Sequence, residues 1–213
     1  MSFPRVFLLS PANLGGRRAE MLLRRDASFD LAVRLREGAA TIGETYAFVS
    51  GLYFRGKLAY ARSFAVPHLG LPPALVIVPG RGFAHPEETV SCEDLRAISG
   101  VEIAVSNEAY RNPLLREAEQ LATNSSPDCR FVLLGSVATN KYTEPLLGVF
   151  GERLLFPADF LGRGDMSRGG LMLRRVENGE ELSYIPIQGS VLRGNRPGKL
   201  EPRSRPFDPP GSP

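Results

Sequence analysis

The segment Leu161 to Gly170 reads L-G-R-G-D-M-S-R-G-G and sets four glycines, two arginines, an aspartate and a serine among ten residues. Glycine sacrifices chain entropy for positive φ and close backbone approach, and a hydrophobic core has no need of such a run. Arg163 and Arg168 offer forked donors that fit phosphate or carboxylate, and Ser167 adds a hydroxyl between them. Asp165 is the best-placed carboxylate for orienting water or a ribose hydroxyl. The competing role for Asp165 is a clamp on either guanidinium. The segment thus predicts a loop that holds a ligand or a partner, with Asp165 as the candidate catalytic residue.

Three more glycine turns and one aromatic segment carry related chemistry. F-V-L-L-G-S-V-A-T-N-K-Y runs from strand through glycine turn to helix entry. Amides at a helix N-terminus attract anions, and Ser136, Thr139 and Lys141 would line such a pocket. Simple capping by Ser136 or Thr139 explains the same residue types, and the pattern is not a Walker A loop. V-P-G-R-G-F sets Arg81 between glycines, either on a phosphate or base edge or as a solvent-exposed turn arginine. L-S-P-A-N-L-G-G-R-R-A places Asn13 and two glycines after an apolar run. Amides there could hold an anion and Asn13 a base edge, or the segment is a plain loop before a basic helix. G-L-Y-F-R-G-K-L-A-Y interleaves aromatics with Arg55 and Lys57, which suits Tyr53 to stacking on a base. At helical spacing Leu52, Tyr53, Phe54 and Leu58 also read as core.

The elements that must position these loops alternate. Arg5 to Ser10, Ala74 to Pro79 and Arg130 to Leu134 are short apolar runs that predict buried strands. Val101 to Val105 and Arg153 to Phe156 read as further strands. Helices are expected over 17–25, 29–37, 42–65 with breaks at Gly51 and Gly56, from a cap at Ser91, over 113–122, and leading up to Val149. Leu171 to Val176 and Leu182 to Ile187 read as a β-hairpin turning at Glu177-Asn-Gly-Glu180, since Asn-Gly is a strong hairpin signal. The fold class expected is α/β: a mostly parallel sheet flanked by helices, a C-terminal hairpin at one edge, and an irregular tail. Residues 1–192 would form one domain and 193–213 a proline- and glycine-rich tail or strap. Ligands in open α/β sheets gather beyond the carboxyl ends of the strands, where the loops at 10–16, 80–82, 135–140 and 161–170 would converge.

Composition bounds the function classes. With 213 residues, 43% of them hydrophobic, the chain can bury a core. A net charge of +3 permits a polyanionic partner without demanding one, and arginine clearly outnumbers lysine. Cys92 and Cys129 make neither a disulfide framework nor a C-x-x-C pair. His68 and His85 with those cysteines lack zinc-site spacing, so neither a metal nor another cofactor is expected. No secretory signal or membrane-length apolar run is visible, which makes a cytoplasmic location without membrane association the default expectation.

The opening R-V-F-L-L-S-P-A resembles the start of YaaA-type peroxide-stress proteins, and F-V-L-L-G-S-V-A-T-N-K-Y is similar to the late strand-turn-helix of uracil-DNA-glycosylase-like proteins. These resemblances imply a bacterial α/β protein acting on nucleic acid. The glycosylases' acidic motif after the first strand has no evident counterpart here, and neither His68 nor His85 lies near the C-terminal end. The expectation is a nucleic-acid- or nucleotide-directed protein, a hydrolase or glycosylase-like enzyme that holds phosphate through glycine- and arginine-rich loops. Two alternatives stand beside it: a non-catalytic nucleic-acid-binding protein, and an interaction module docking a protein partner through the 161–170 loop and the C-terminal tail. Whether the chain is an enzyme is left open by its sequence.

Overall fold

Val6, Phe7, Leu8 and Leu9 are all shielded from solvent, which is why the first strand is apolar on both faces. The structure, a computed structural model, describes residues 3–66, 70–192, 194, 197, 198 and 200. The chain begins with β1 (Arg5–Leu9), α1 (Arg17–Leu23), α2 (Asp30–Arg36), β2 (Ala40–Thr41), α3 (Ile42–Ser50) and α4 (Leu52–Phe64). It continues through β3 (Ala74–Val78), β4 (Gly82–Ala84), β5 (Thr89–Val90), α5 (Cys92–Ser99) and α6 (Glu108–Thr123). The last elements are β6 (Arg130–Leu134), α7 (Asn140–Phe150), β7 (Leu154–Pro157), α8 (Asp165–Asn178) and β8 (Tyr184–Pro186).

Among the described residues the main sheet has the order β4-β3-β1-β6-β7-β8. Its four inner strands are parallel, and β4 and β8 close the two edges antiparallel. Alternate residues face opposite layers. Phe7, Leu9, Val132 and Leu134 pack with α1 to α5 and α8, whereas Val6, Leu8, Phe131 and Leu133 pack with α6 and α7. The protein is therefore an α/β fold with a mostly parallel sheet between helical layers, as its sequence predicts. β2 and β5 form a small antiparallel pair beside it.

Three details depart from the sequence reading. Residues 165–170 of the expected loop and residues 171–176 of the expected hairpin both belong to α8, because buried Arg168, Gly169, Leu171 and Met172 follow helical spacing. Asn178-Gly179 is the end of that helix: Gly179 has φ +67° and the Glu180 amide reaches back to the Arg175 carbonyl at 3.0 Å. The left-handed residue that a tight hairpin needs is also what a helix C-terminus uses. Only β8 of the expected hairpin exists, and it pairs with β7. Residues 101–105 are irregular and form no strand. The helix expected over 42–65 breaks at Gly51 alone, where φ is +60°; Gly56 lies inside α4.

Gly56 has a packing role. A Cβ there would stand 2.7 Å from the Gly169 carbonyl oxygen, and a Cβ at Gly169 would stand 2.7 Å from that of Leu52. These two glycines let α4 and α8 cross almost backbone to backbone. Most of the tail expected over 193–213, and residues 67–69 of the preceding linker loop, lie outside the described residues. Leu200 packs against the hydrophobic layer that includes α8.

Candidate functional site

Ser10, Pro79 and Ser136 follow β1, β3 and β6, so they lie beyond the same carboxyl edge of the sheet. The chain passes from β1 to β3 on one side and reaches β6 on the other, which opens a crevice where neighbouring connections diverge. A cavity of about 500 Å³ occupies this position. β1 and its loop supply Ser10, Asn13 and Gly15, and the α3–α4 region supplies Ser50 and Tyr53. Pro79, Ile98, Val101 and Ile103 make an apolar wall, so the residues expected as a strand after Gly100 line the cavity as irregular chain. Ser136 enters from the turn after β6, Lys141 and Tyr142 from the first turn of α7, and Asp165 from the first turn of α8.

Five of the sequence-predicted residues therefore share one cavity: Asn13, Tyr53, Ser136, Lys141 and Asp165. Asn13 is exposed and its Oδ1 accepts the Gly15 amide at 3.0 Å, which fixes the loop after β1. Arg168 lies just behind the cavity. It is 6% exposed, its Nη1 stands 3.4 Å from Asp165 Oδ1, and its Nε donates to the Phe160 carbonyl at 3.3 Å. Tyr53 is buried, and burial pushes its phenol up to about 12. Among the described residues its hydroxyl has no hydrogen-bond partner, although Ser10 and Arg168 lie near enough to affect its titration. Burial likewise raises the Tyr142 phenol, with Tyr53 and Asp165 adding to the effect.

The other expected residues stand outside the cavity. Arg163 donates to the Asp159 carbonyl at 3.0 Å, to Ser167 Oγ at 3.2 Å and to the Gly198 carbonyl at 3.5 Å. Arg163 and Ser167 thus tie the turn before α8 to a C-terminal residue, and both line a separate depression on the far side of Asp165. Thr139 is exposed beside a shallow hollow that shares Lys141 with the main cavity. Arg81 pairs with Asp94 and, at 3.9 Å, with Glu88.

The Arg81 pairing stabilises the start of α5. Ser91 and Asp94 form a reciprocal capping box. The Ser91 hydroxyl, the Ser91 amide and then Arg81 hold the Asp94 carboxyl down to about 2. A depressed carboxyl contributes stability above its ordinary value near 4, and that contribution is lost as the pH falls toward 2. Asp94→Asn should therefore lower the urea midpoint at neutral pH and flatten the acid limb of the stability curve between about pH 4 and pH 2. An unchanged acid limb would remove Asp94 as its source.

Sequence reasoning did not single out Ser10, and it read Lys57 only as a basic residue interleaved with aromatics. Lys57 is fully buried, and its Nζ lies 2.5 Å from the Ser10 carbonyl and 3.0 Å from Ser10 Oγ. A signal existed: Tyr53 and Lys57 are four residues apart, which puts them on one helix face, and that face is otherwise apolar.

No family model matches the chain, and neither a curated protein nor a solved structure is significantly similar to it. Among the described residues no helix is long and apolar enough to cross a membrane.

Proposed function

We propose that the cavity receives a nucleotide unit, free or carried by a nucleic-acid strand, and that the protein is a hydrolase acting on it. The observation that carries this reading is one cavity with three kinds of wall. Its volume lies within the roughly 300–1,000 Å³ usual for small-ligand sites. Lys141 and the first amides of α7 offer a phosphate the positive end of a helix. Pro79, Ile98, Val101 and Ile103 suit the apolar faces of a base and sugar, with Tyr53 and Tyr142 beside them. Asp165 stands at the rim with its side chain 65% exposed and one oxygen on Arg168, placed to orient a water or a ribose hydroxyl with the other.

Fluorescence anisotropy with labelled single-stranded DNA, duplex DNA, RNA and a mononucleotide, across a salt series, tests the ligand class. Binding that weakens as salt rises is expected, because phosphate contacts release counterions. Absence of binding to all four probes would end the nucleotide reading. Asp165→Asn should keep the fold and the affinity while lowering turnover about 100-fold, in the range of a positioned acid–base group. Undiminished turnover would remove Asp165 from the reaction, and binding with no turnover in the wild type would favour a non-catalytic binding protein.

A further inference from the structure

Lys57 is a buried amine that the reading above leaves unused. Among the described residues no carboxylate forms an ion pair with it. Its partners are the Ser10 carbonyl and hydroxyl, with the Tyr53 and Phe54 rings 4.4 and 4.9 Å from Nζ. We propose that Ser10 and Lys57 are a nucleophile and its general base, and that they cleave a phosphate ester of the bound nucleotide unit through a phosphoseryl intermediate. The substrate class rests on the nucleotide reading; the pair itself does not.

The hydrogen-bond geometry serves both protonation states of the lysine. As an ammonium, Nζ can donate to the carbonyl, to the hydroxyl and toward an aromatic face. As a neutral amine, it can still donate to the Ser10 carbonyl, while its lone pair accepts the Ser10 hydroxyl proton across the same 3.0 Å. A proton can thus pass between Oγ and Nζ without displacement of either heavy atom. Desolvation lowers the lysine to about 7, Asp165 favours the ammonium and Arg168 opposes it. A base poised near neutral pH is what activation of a hydroxyl requires.

Access supports the same assignment. Ser10 lines the cavity. Gly135 packs against Ser10, which is itself 4% exposed; a Cβ there would come within 3.0 Å of Ser10 Cβ and 3.2 Å of its Oγ, so only a glycine leaves the hydroxyl its place at the cavity wall. In the first step Ser10 Oγ forms a bond to phosphorus as the bond from phosphorus to the leaving oxygen breaks. The hydroxyl proton goes to Lys57 and then to the leaving oxygen. Water next attacks the phosphoserine, Lys57 takes its proton, and Ser10 Oγ departs and regains a proton. The net change is one water consumed and one ester bond hydrolysed.

The test is covalent capture with a fluorophosphonate ester, read by mass spectrometry of the intact protein and its peptides. One phosphonyl adduct on Ser10, with loss of fluoride, is expected. Ser10→Ala should give none, and Lys57→Met should label about 100-fold more slowly. In the wild type the labelling rate should rise with pH between about 6 and 9 as Lys57 loses its proton. Ser10 from β1, Tyr53 from its own helix, and Asp165 and Arg168 from α8 are the groups that face Nζ, and Tyr53 titrates well above that range. No adduct on folded wild type, equal rates with and without the lysine, or a flat pH profile would each overturn the pair. An adduct in a protein that binds no nucleotide probe would keep the pair and overturn its substrate. Nucleotide binding without an adduct would do the reverse.

Discussion

Lys57→Met is expected to make the protein more stable at pH 7 while removing the base beneath Ser10. Burial lowers the lysine from 10.5 to about 7, so the folded state binds fewer protons than the unfolded chain between those values. Stability of the wild type should therefore rise with pH from about 7 to about 10, and the full penalty should apply below 7. A difference of this size corresponds to an order of 4–5 kcal/mol. Methionine has nearly the same length and no charge, but it leaves the Ser10 carbonyl and hydroxyl without their donor, at a cost of about 1–3 kcal/mol. The net gain expected at pH 6 to 7 is on the order of 2 kcal/mol, shrinking toward zero or reversing near pH 10. Urea denaturation of both proteins at pH 6, 8 and 10 checks it. A variant less stable than wild type at pH 6 would show that the lysine is an anchor whose contacts outweigh its burial. A stabilising change that slows labelling about 100-fold would mark a buried charge retained for function.

Gly169→Ala is expected to destabilise the protein by about 1–3 kcal/mol or more, as overpacking does. Helix propensity alone predicts the opposite, since alanine is better than glycine in a helix interior by up to about 1 kcal/mol. The tertiary contact decides the sign. A Cβ at Gly169 would lie 2.7 Å from the Leu52 carbonyl oxygen and 2.8 Å from the Tyr53 Cα. Backbone atoms cannot rotate away as a side chain can, so α8 must shift off α4. That shift would separate Asp165 and Arg168 on α8 from Tyr53 and Lys57 on α4, and both Ser10 labelling and ligand binding should fall with stability. Thermal melts together with labelling at a temperature where the variant is folded measure the two effects. A melting temperature equal to or above that of wild type would show that the crossing has slack.

The parallel core was legible because three short apolar runs, at 5–10, 74–79 and 130–134, admit few structures other than strands buried on both faces. Ser91 gave its helix away because a serine hydroxyl can cap the amides of a first turn; the reciprocal bond from Asp94 emerged only in the structure. The segment at 161–170 drew attention for its residue types, and Asp165 is indeed at the cavity rim. Its glycines were read too uniformly, however. Gly164 precedes α8, whereas Gly169 lies inside that helix, against α4. The arginines divided in the same way. Arg163 and Arg81 have the same chemistry as a ligand-binding arginine, but each has partners within the chain.

The sequence by itself determined the buried parallel strands, the helix capped at Ser91, the α/β class, and which glycine turns follow the first, third and sixth strands. These follow from period, capping and turn chemistry, which act over a few residues. Only the tertiary structure decided which loops share a cavity, that Asn178-Gly179 ends a helix, and that Lys57 lies against Ser10. Lysine and serine are 47 residues apart, and nothing local to either one encodes their contact. It exists because α4 packs across the end of β1 and covers the amine, and there an amine that would be an ordinary surface charge becomes a base.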